Sequence, residues 1–271
     1  YDPGRARSQA YRLPVNKNWY RATTSHNTVL VDRVSQEGVE GQCELFVATP
    51  DLSAVAARTD TAYTNVVHRR LLVLRQGFLI VADVLAATDG KRHTFDWLYH
   101  NRGEGVSSPA AAREAAPPQG QGFEYLQDVR RGNTDGPIQS TVAMGPDRVN
   151  VFVNGEPGTE VLVGTGVGES VLDRVPLLFV TREGSSARFA AVIDPTPKGE
   201  TEEVEKVEVR NHETSGYLIW VHLRAGVQEL YAYDPAGAAR TVAGQNTHSK
   251  LLCLRRENNQ PFQVVAEAKN F

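Results

Sequence analysis

Three side chains near the start of the chain, His26, Glu44 and His68, are of the types that bind a divalent metal. Each lies in or beside a predicted strand, and alternation of side chains places His26 and Glu44 opposite the apolar positions of their strands. If the three strands pair as a meander, two imidazoles and one carboxylate share one face. Such a set, with a position left for water, is typical of zinc or a similar divalent ion.

The metal hypothesis has a structural alternative. The ligands come from separate strands, and the sequence contains neither HxxxH nor HExxH, so each histidine can equally be a structural residue. His100 is a substitute third ligand. It can also be the last residue of a strand whose Phe95, Trp97 and Tyr99 form a core face or stack on a sugar.

Arginines form a local basic group around the His26 strand. Arg21, Arg69 and Arg70 could bind an acidic ligand such as a uronate carboxylate through paired hydrogen bonds. Alternatively they are surface arginines paired with Glu37, Glu40 or Asp83. The sequence leaves both interpretations open.

Apolar residues alternate with a period of two through most of the chain, and no stretch keeps helical spacing for three turns. Short strands separated by Gly, Pro, Asn and Asp predict an all-β fold, a large antiparallel β-sandwich with very little helix. We expect residues 1–271 to form a single domain, with a flexible loop at about 103–122, where Pro, Gly, Ser and Ala dominate. The predicted strands are 28–33, 42–48, 66–75, 78–84, 93–100, 123–129, 138–144, 149–153, 159–163, 176–182, 188–194, 203–210, 217–223, 229–234, 251–255 and 262–267, with 201–206 in an edge position.

Composition excludes several classes of protein. The chain has 29 Lys and Arg against 32 Asp and Glu, so no basic excess favours nucleic-acid binding. No apolar run reaches the ~18–20 residues of a membrane span. Gly-x-Ser-x-Gly does not occur, which argues against the common esterase motif. Cys43 and Cys253 are far apart and form no CxxC pair; we expect buried free thiols, although one disulfide is compatible with the sequence.

The stretch 19–32, Trp-Tyr-Arg-Ala-Thr-Thr-Ser-His-Asn-Thr-Val-Leu-Val-Asp, resembles the His-Asn-Thr-Val-x-Val-Asp-Gly signature of the heparinase II/III-like polysaccharide lyases. The resemblance extends over about residues 1–100, including 62–63, 68–70, 78–85 and 93–100. It implies a β-sandwich that follows an N-terminal α/α toroid, with the substrate cleft between them. It also implies β-elimination on uronic-acid-containing polysaccharides and a secreted, periplasmic or cell-envelope location.

The resemblance also implies roles for particular residues. His26 matches a histidine that in several relatives binds a metal in the sandwich, Glu44 stands where those relatives carry Asp, and His68 is the candidate third ligand. The implied cofactor is a divalent metal, with zinc as the expected ion. Arg21, Asn27 and Tyr63 are expected to line the cleft and bind substrate. The candidate site residues are therefore Arg21, His26, Asn27, Glu44, Tyr63 and His68.

Two positions depart from the family pattern. Some relatives have a catalytic histidine where this chain has Thr24, and Arg33 replaces the usual Gly after Val31-Asp32. The first departure raises the question of how much this chain contributes to neutralising the uronate. The second alters the turn that follows the strand.

Three functions are compatible with the sequence. The first is the sandwich part of a polysaccharide lyase; because the main catalytic Tyr and His of relatives lie in the toroid, we expect this chain alone to be inactive. The second is a non-catalytic carbohydrate-binding or scaffolding sandwich without metal, in which Trp97 or Trp19 stacks on sugar. The third is a purely structural module.

Overall fold

The computed structural model describes residues 1–6, 8–211 and 216–269 and is built almost entirely of strands. Short helical turns cover Ser8–Arg12, Asn16–Tyr20, Thr23–Ser25, Phe123–Tyr125 and Arg224–Gly226. In chain order the strands are β1 (Val29–Val31), β2 (Gln42–Ala48), β3 (Leu52–Tyr63), β4 (Val66–Arg75), β5 (Phe78–Ala87), β6 (His93–His100), β7 (Gly105–Ser107), β8 (Arg113–Glu114), β9 (Gln127–Thr134), β10 (Ile138–Met144), β11 (Asp147–Val153), β12 (Thr159–Val167), β13 (Arg174–Gly184), β14 (Ser186–Thr196), β15 (Val204–Asn211), β16 (Tyr217–Leu223), β17 (Val227–Tyr233), β18 (Arg240–Val242), β19 (Gln245–Thr247), β20 (Leu251–Glu257) and β21 (Gln263–Ala268). The predicted all-β class is therefore confirmed.

The strands form three main antiparallel sheets. The first sheet has the order β1-β6-β13-β12-β9-β8, and the second has the order β2-β3-β4-β5-β14-β11-β10-β7. The third sheet has the order β15-β16-β17-β20-β21, and β18 and β19 form a separate hairpin.

The second sheet is buried on both of its faces. One core joins it to the first sheet and contains Trp97, Val151 and Phe189. The other joins it to the third sheet and contains Leu71 and Ile219. Burial on both sides explains why β5 and β14 are nearly continuous apolar runs rather than strict alternations.

The outer face of the first sheet is covered along part of its length. The segment before β1 that contains the turns Asn16–Tyr20 and Thr23–Ser25, here called the covering segment, packs Trp19 and Tyr20 on this face. Phe123, from the turn before β9, packs with them against Leu98 and Phe179. The Trp19 indole N–H donates to the Val167 carbonyl at 2.9 Å, which fixes the covering segment to β12. This cover determines where the residues around His26 lie.

Three expectations about the arrangement need correction. β1 pairs with β6 in the first sheet, whereas β2 and β4 lie in the second sheet, so the meander expected to unite His26, Glu44 and His68 does not form. The segment 103–122 is not free of strand structure, because β7 and β8 lie within it. Cys253 is a buried free thiol as expected, but Cys43 is an exposed one.

The expected edge position of the acidic segment is confirmed for β15, which lies at one edge of the third sheet. None of the described helical turns has the length and apolarity needed to span a bilayer.

Candidate functional site

His26 lies just before β1 and is partly open to solvent. It follows the helical turn Thr23–Ser25 and has an extended backbone conformation. His26 therefore belongs to the end of the covering segment and not to a strand. Its Nδ1 lies 2.6 Å from Oδ2 of Asp2, and its Nε2 lies 3.2 Å from the Tyr20 carbonyl oxygen. The side chains of His26 and Asp2 are 34% and 48% exposed, so this pair can meet a ligand.

Asn27 ties this surface to the sheets beneath it. Its side-chain NH₂ donates to the Tyr1 carbonyl at 2.6 Å, and its side-chain oxygen accepts from the His100 amide at 2.6 Å. Its own carbonyl accepts from Nη1 of Arg70 at 2.6 Å. Asn27 therefore joins the start of the chain and Arg70 of β4 to His100 at the end of β6.

A buried charged cluster lies below Asn27, between β4 and β5. The Asp83 carboxylate is fully buried and accepts two hydrogen bonds from Arg70, at 2.7 and 2.9 Å. It also lies 2.7 Å from Nε2 of His68, whose side chain is 7% exposed. Burial alone would raise the pKa of Asp83, but the Arg70 guanidinium and His68 together lower it to about 2. Asp83 is therefore ionised and fully paired, as a structural charge must be.

Glu44, in β2, forms an ion pair with Arg69 of β4. Its carboxylate accepts from Nε of Arg69 at 3.2 and 3.4 Å, and its side chain is 16% exposed. The register of β2 against β3 shifts between Cys43 and Leu45, so the expected alternation is interrupted at Glu44. The ion pair therefore links β2 to β4 across the intervening strand β3.

The structure does not bring His26, Glu44 and His68 together as metal ligands. Each is engaged elsewhere: His26 with Asp2, Glu44 with Arg69, and His68 with Asp83. Over residues 1–6, 8–211 and 216–269, no group of three His, Cys, Asp or Glu side chains could hold a metal ion. The residues present therefore do not fit the predicted zinc site.

His100, the substitute ligand, is a core residue. It is fully buried, its Nε2 donates to the Thr24 carbonyl at 2.9 Å, and its ring packs edge-on against Trp19 and Phe179. Burial lowers the pKa of His100 to about 3, so the ring is neutral near pH 7. In the part of the chain that the structure describes, its Nδ1 has no hydrogen-bond partner. The structural interpretation of His100 is the one its surroundings support.

The remaining predicted substrate-binding residues lie in contrasting places. Arg21 is exposed at the end of the turn Asn16–Tyr20. Tyr63 is only 6% exposed, and its hydroxyl donates to the Val29 carbonyl at 2.6 Å. Burial raises the pKa of Tyr63 well above its usual value. This placement supports a role in holding β1 and does not support contact with substrate.

Both tryptophans considered for sugar stacking are buried. Trp19 is 0% exposed because it lies between the covering segment and the first sheet, and Trp97 is 2% exposed in the core between the first and second sheets. Neither ring presents a face to solvent, so the stacking hypothesis is wrong for these two residues.

Sequence reasoning missed Asp2 as the partner of His26. The two residues are 24 positions apart, and no local pattern links a carboxylate near the start of the chain to a histidine after a helical turn. Only the folding of the covering segment onto the first sheet brings them together.

Comparisons with known proteins agree on the fold. Residues 1–168 match the family described as "Heparinase II/III-like, C-terminal". A search of the curated proteins found no match. Among solved structures, a heparinase III (the BT4657 gene product, with methylated lysines) superposes with a TM-score of 0.55 at 14% identity, over 93% of this chain and 32% of that one.

A second similar structure is a mutant of the heparan sulfate lyase HepC from Pedobacter heparinus. It superposes with a TM-score of 0.54 at 11% identity, over 86% of this chain and 34% of that one. At these identities the likeness concerns the fold. The chain spans about a third of the length of the two lyases.

Proposed function

Because the chain belongs to the heparinase II/III-like C-terminal family, we propose that it is the β-sandwich part of a polysaccharide lyase. In this proposal it helps to bind a uronate-containing polysaccharide for β-elimination, beside an α/α toroid that precedes it in the full enzyme. The proposed location is outside the cytoplasm: secreted, periplasmic or in the cell envelope.

One observation carries the proposal: the partly exposed pair of His26 and Asp2. The pair lies in the stretch of sequence that carries the resemblance to the family, and the Tyr20 carbonyl lies 3.2 Å from Nε2 of His26. Among the histidines of the signature region, His68 and His100 are buried and engaged. His93 in the same region is 12% exposed, so His26, at 34%, has the most accessible imidazole of the four.

The chemistry of β-elimination gives His26 a clear task. Removal of the proton next to a uronate carboxylate builds negative charge on that carboxylate, and a positioned donor stabilises it. The Asp2 carboxylate fixes the direction of the imidazole through Nδ1, and the longer 3.2 Å contact of Nε2 with the Tyr20 carbonyl is the one that a substrate carboxylate would replace. Exposed Arg21 can add a guanidinium for a second carboxylate of the polymer.

Binding measurements test this proposal. Isothermal titration of the 271-residue chain with heparan sulfate or alginate oligosaccharides should show saturable binding, with a neutral glucan oligosaccharide as the negative control. His26→Ala should weaken binding roughly tenfold, the loss of one charge-assisted hydrogen bond. His248→Ala is the matched control, because His248 is also exposed but lies beside the third sheet. Equal affinity for wild type and His26→Ala would overturn the role of His26.

Catalysis by this chain alone is a separate question. We expect no unsaturated product when the chain is incubated with uronic-acid polymers, because the proposal places the proton-transfer groups in the toroid. Absorbance of the unsaturated uronate is the readout. Sustained product formation by the pure chain would show that the sandwich contains its own catalytic base.

The divalent metal is not part of the proposed mechanism, since its predicted ligands are engaged elsewhere. Elemental analysis of the purified chain is the direct test, with His26→Ala as control. The geometry predicts less than stoichiometric zinc. One zinc per chain that disappears in His26→Ala would show that these side chains rearrange around a metal.

A further inference from the structure

The third sheet has one face against the second sheet and one face that points outward. Ile219 and Val221 of β16 lie in the core with the second sheet, so Leu218, Trp220 and His222 of the same strand face outward. When one face of an antiparallel sheet packs on a core, its other face is ordinarily polar. A tryptophan on this outer face is therefore an exception to the usual pattern.

The hairpin of β18 and β19 covers only part of this outer face. Val242 of the hairpin is 6% exposed and packs in one apolar group with Leu230 and Leu252 of the sheet. Trp220 and Phe262 pack against the same group but are only half-buried. Two aromatic side chains beside the hairpin thus stay partly open to solvent, and partly open aromatic side chains are common in binding surfaces.

The strand register arranges this face in two neighbouring rows, about 7 Å apart along the strands. One row is apolar and consists of Trp220, Leu230, Leu254 and Val264. The row beside it is polar and consists of Lys206, His222, Gln228 and Arg256. A sugar ring has an apolar C–H face and an edge of hydroxyl groups, so an apolar row next to a row of hydrogen-bonding side chains matches its chemistry.

An arginine lies over each of the two aromatic rings. Cζ of Arg210 is 5.0 Å from the centre of the Trp220 ring, and Cζ of Arg256 is 4.6 Å from the centre of the Phe262 ring. Arg210 is exposed, and Nε of Arg256 donates to the side-chain oxygen of Gln228 at 2.7 Å. In the part of the chain that the structure describes, neither guanidinium forms an ion pair with a carboxylate. Both can therefore pair with an anionic group of a ligand.

Positive charge prevails around the two rings. The acid opposite the tryptophan on β15 is Glu208, and Nζ of Lys206 lies 2.8 Å from its Oε1, so these two charges offset each other. Glu267, on β21 at the far edge of the sheet, accepts from two hydroxyl groups at the hairpin. Arg210 and Arg256 are left as uncompensated charges, and an acidic ligand is the one that they attract.

We propose that the outer face of the third sheet binds an acidic oligosaccharide, with one sugar ring at Trp220 and with Arg210 and Arg256 pairing with its carboxylates. Three strand spacings separate β16 from β21, about 14 Å, so a ligand that reaches both aromatic rings is longer than one sugar. The second sheet lies between this face and the first sheet, and the third sheet lies beyond the family match at 1–168, so the site is separate from the His26 surface. The acidic class follows from the charge of the face; that the same polymer binds at His26 rests on the proposed function.

Tryptophan fluorescence reports on this face selectively. The chain has three tryptophans, and Trp19 and Trp97 are 0% and 2% exposed, so acrylamide quenches mainly Trp220. The 271-residue chain is titrated with an alginate hexasaccharide, in which every sugar is a uronate, and with maltohexaose as the neutral control. We expect saturable protection from acrylamide by the alginate and none by maltohexaose. No protection at millimolar alginate, or equal protection by the two sugars, would overturn the proposal.

An arginine variant makes the test specific. Arg210→Gln removes an exposed guanidinium, so folding is not at risk, and it should raise the dissociation constant of the alginate hexasaccharide roughly tenfold. Arg5→Gln is the matched control, because Arg5 is also exposed and lies 5.9 Å from the centre of the Tyr11 ring, outside the third sheet. An unchanged dissociation constant in Arg210→Gln, or an equal loss in both variants, would contradict the proposal.

Trp220→Ala and His26→Ala complete the design. His26→Ala alone should leave the acrylamide protection of Trp220 unchanged, whether or not the His26 surface binds the polymer, so failure of one site is distinguishable from failure of the other. Trp220→Ala is placed in the His26→Ala chain and read by isothermal titration, with circular dichroism as the check on folding. Affinity should fall tenfold or more relative to His26→Ala. Unchanged affinity in the double variant, or loss of protection in His26→Ala, would contradict a separate site.

Discussion

Two histidine–aspartate pairs lie on either side of Asn27, which bonds to Tyr1 beside Asp2 and to Arg70 beside Asp83, and the two pairs differ in burial and in their further partners. His26 and Asp2 are 2.6 Å apart and 34% and 48% exposed, whereas His68 and Asp83 are 2.7 Å apart and 7% and 0% exposed. In the buried pair, the Asp83 carboxylate also accepts two hydrogen bonds from Arg70. Among the described residues, no arginine hydrogen bond to the Asp2 carboxylate accompanies the exposed pair. The same two residue types thus provide a solvent-exposed pair at the surface and a buried charge cluster in the interior.

The difference teaches that burial and the third partner decide the role. In the interior, a lone His–Asp pair would leave carboxylate lone pairs unfilled, and Arg70 supplies the missing donors. At the surface, water or a ligand fills that role, so the pair remains available for binding. The variants below break one pair at a time.

The largest expected effect is the loss of the buried carboxylate. Asp83→Asn leaves Arg70 and His68 without their anion, so we expect the free energy of unfolding to fall by roughly 3–5 kcal/mol. Urea denaturation followed by circular dichroism measures it. Asp2→Asn is the matched control and should leave the unfolding midpoint unchanged within error. Equal destabilisation by the two variants would remove the distinction between the pairs.

The buried His100 predicts a pH dependence of stability. Its pKa is lowered to about 3 in the folded chain, so below its ordinary value near 6.5 the unfolded chain binds a proton that the folded chain does not. Stability is therefore full above about pH 6.5 and falls as the pH drops towards 3, by about 2–3 kcal/mol between pH 6.5 and 4.5.

His100→Gln is the variant that isolates this term, because glutamine can still donate to the Thr24 carbonyl but does not titrate in this range. Unfolding measured across pH 4.5 to 7 should show a flatter profile for His100→Gln than for wild type. Parallel profiles would mean that His100 is not buried as a neutral ring.

The smallest expected change in stability comes from removing the Tyr63 hydroxyl. This variant tests whether Tyr63 supports β1, as the structure indicates, or contacts substrate, as the sequence predicted. Tyr63→Phe keeps the ring but leaves the Val29 carbonyl without its donor, so stability should fall by about 1 kcal/mol. Affinity for uronate oligosaccharides should not change. A clear loss of affinity with unchanged stability would restore Tyr63 as a binding residue.

Local patterns predicted much of the fold. The bounds of β4, β6, β10 and β16 are predicted to the residue, because alternation and flanking turn residues are both strong there. The predicted strand 123–129 is wrong in its first half, since Phe123–Tyr125 forms a helical turn that covers the first sheet. β3 is not predicted, because its run of alanines and threonines carries little apolar contrast.

The candidate site could be predicted only in part, for a related reason. The position of His26 follows from a local motif, but its partner depends on a contact across 24 residues and on the pairing of β1 with β6. Sequence spacing carries no information on which sheet a three-residue strand joins. The prediction that His26, Glu44 and His68 share one site was wrong because β1 joins the first sheet and β2 and β4 join the second.

Histidine-selective NMR tests the central claim most directly, since the chain has seven histidines and the claim separates three of them. A heparan sulfate tetrasaccharide is titrated into the labelled 271-residue chain, and the imidazole signals are followed to saturation. The account predicts a saturable shift for His26 while the signals of His68 and His100 stay in place. A static His26 signal at saturating ligand, or shifts confined to His68 or His100, would contradict it.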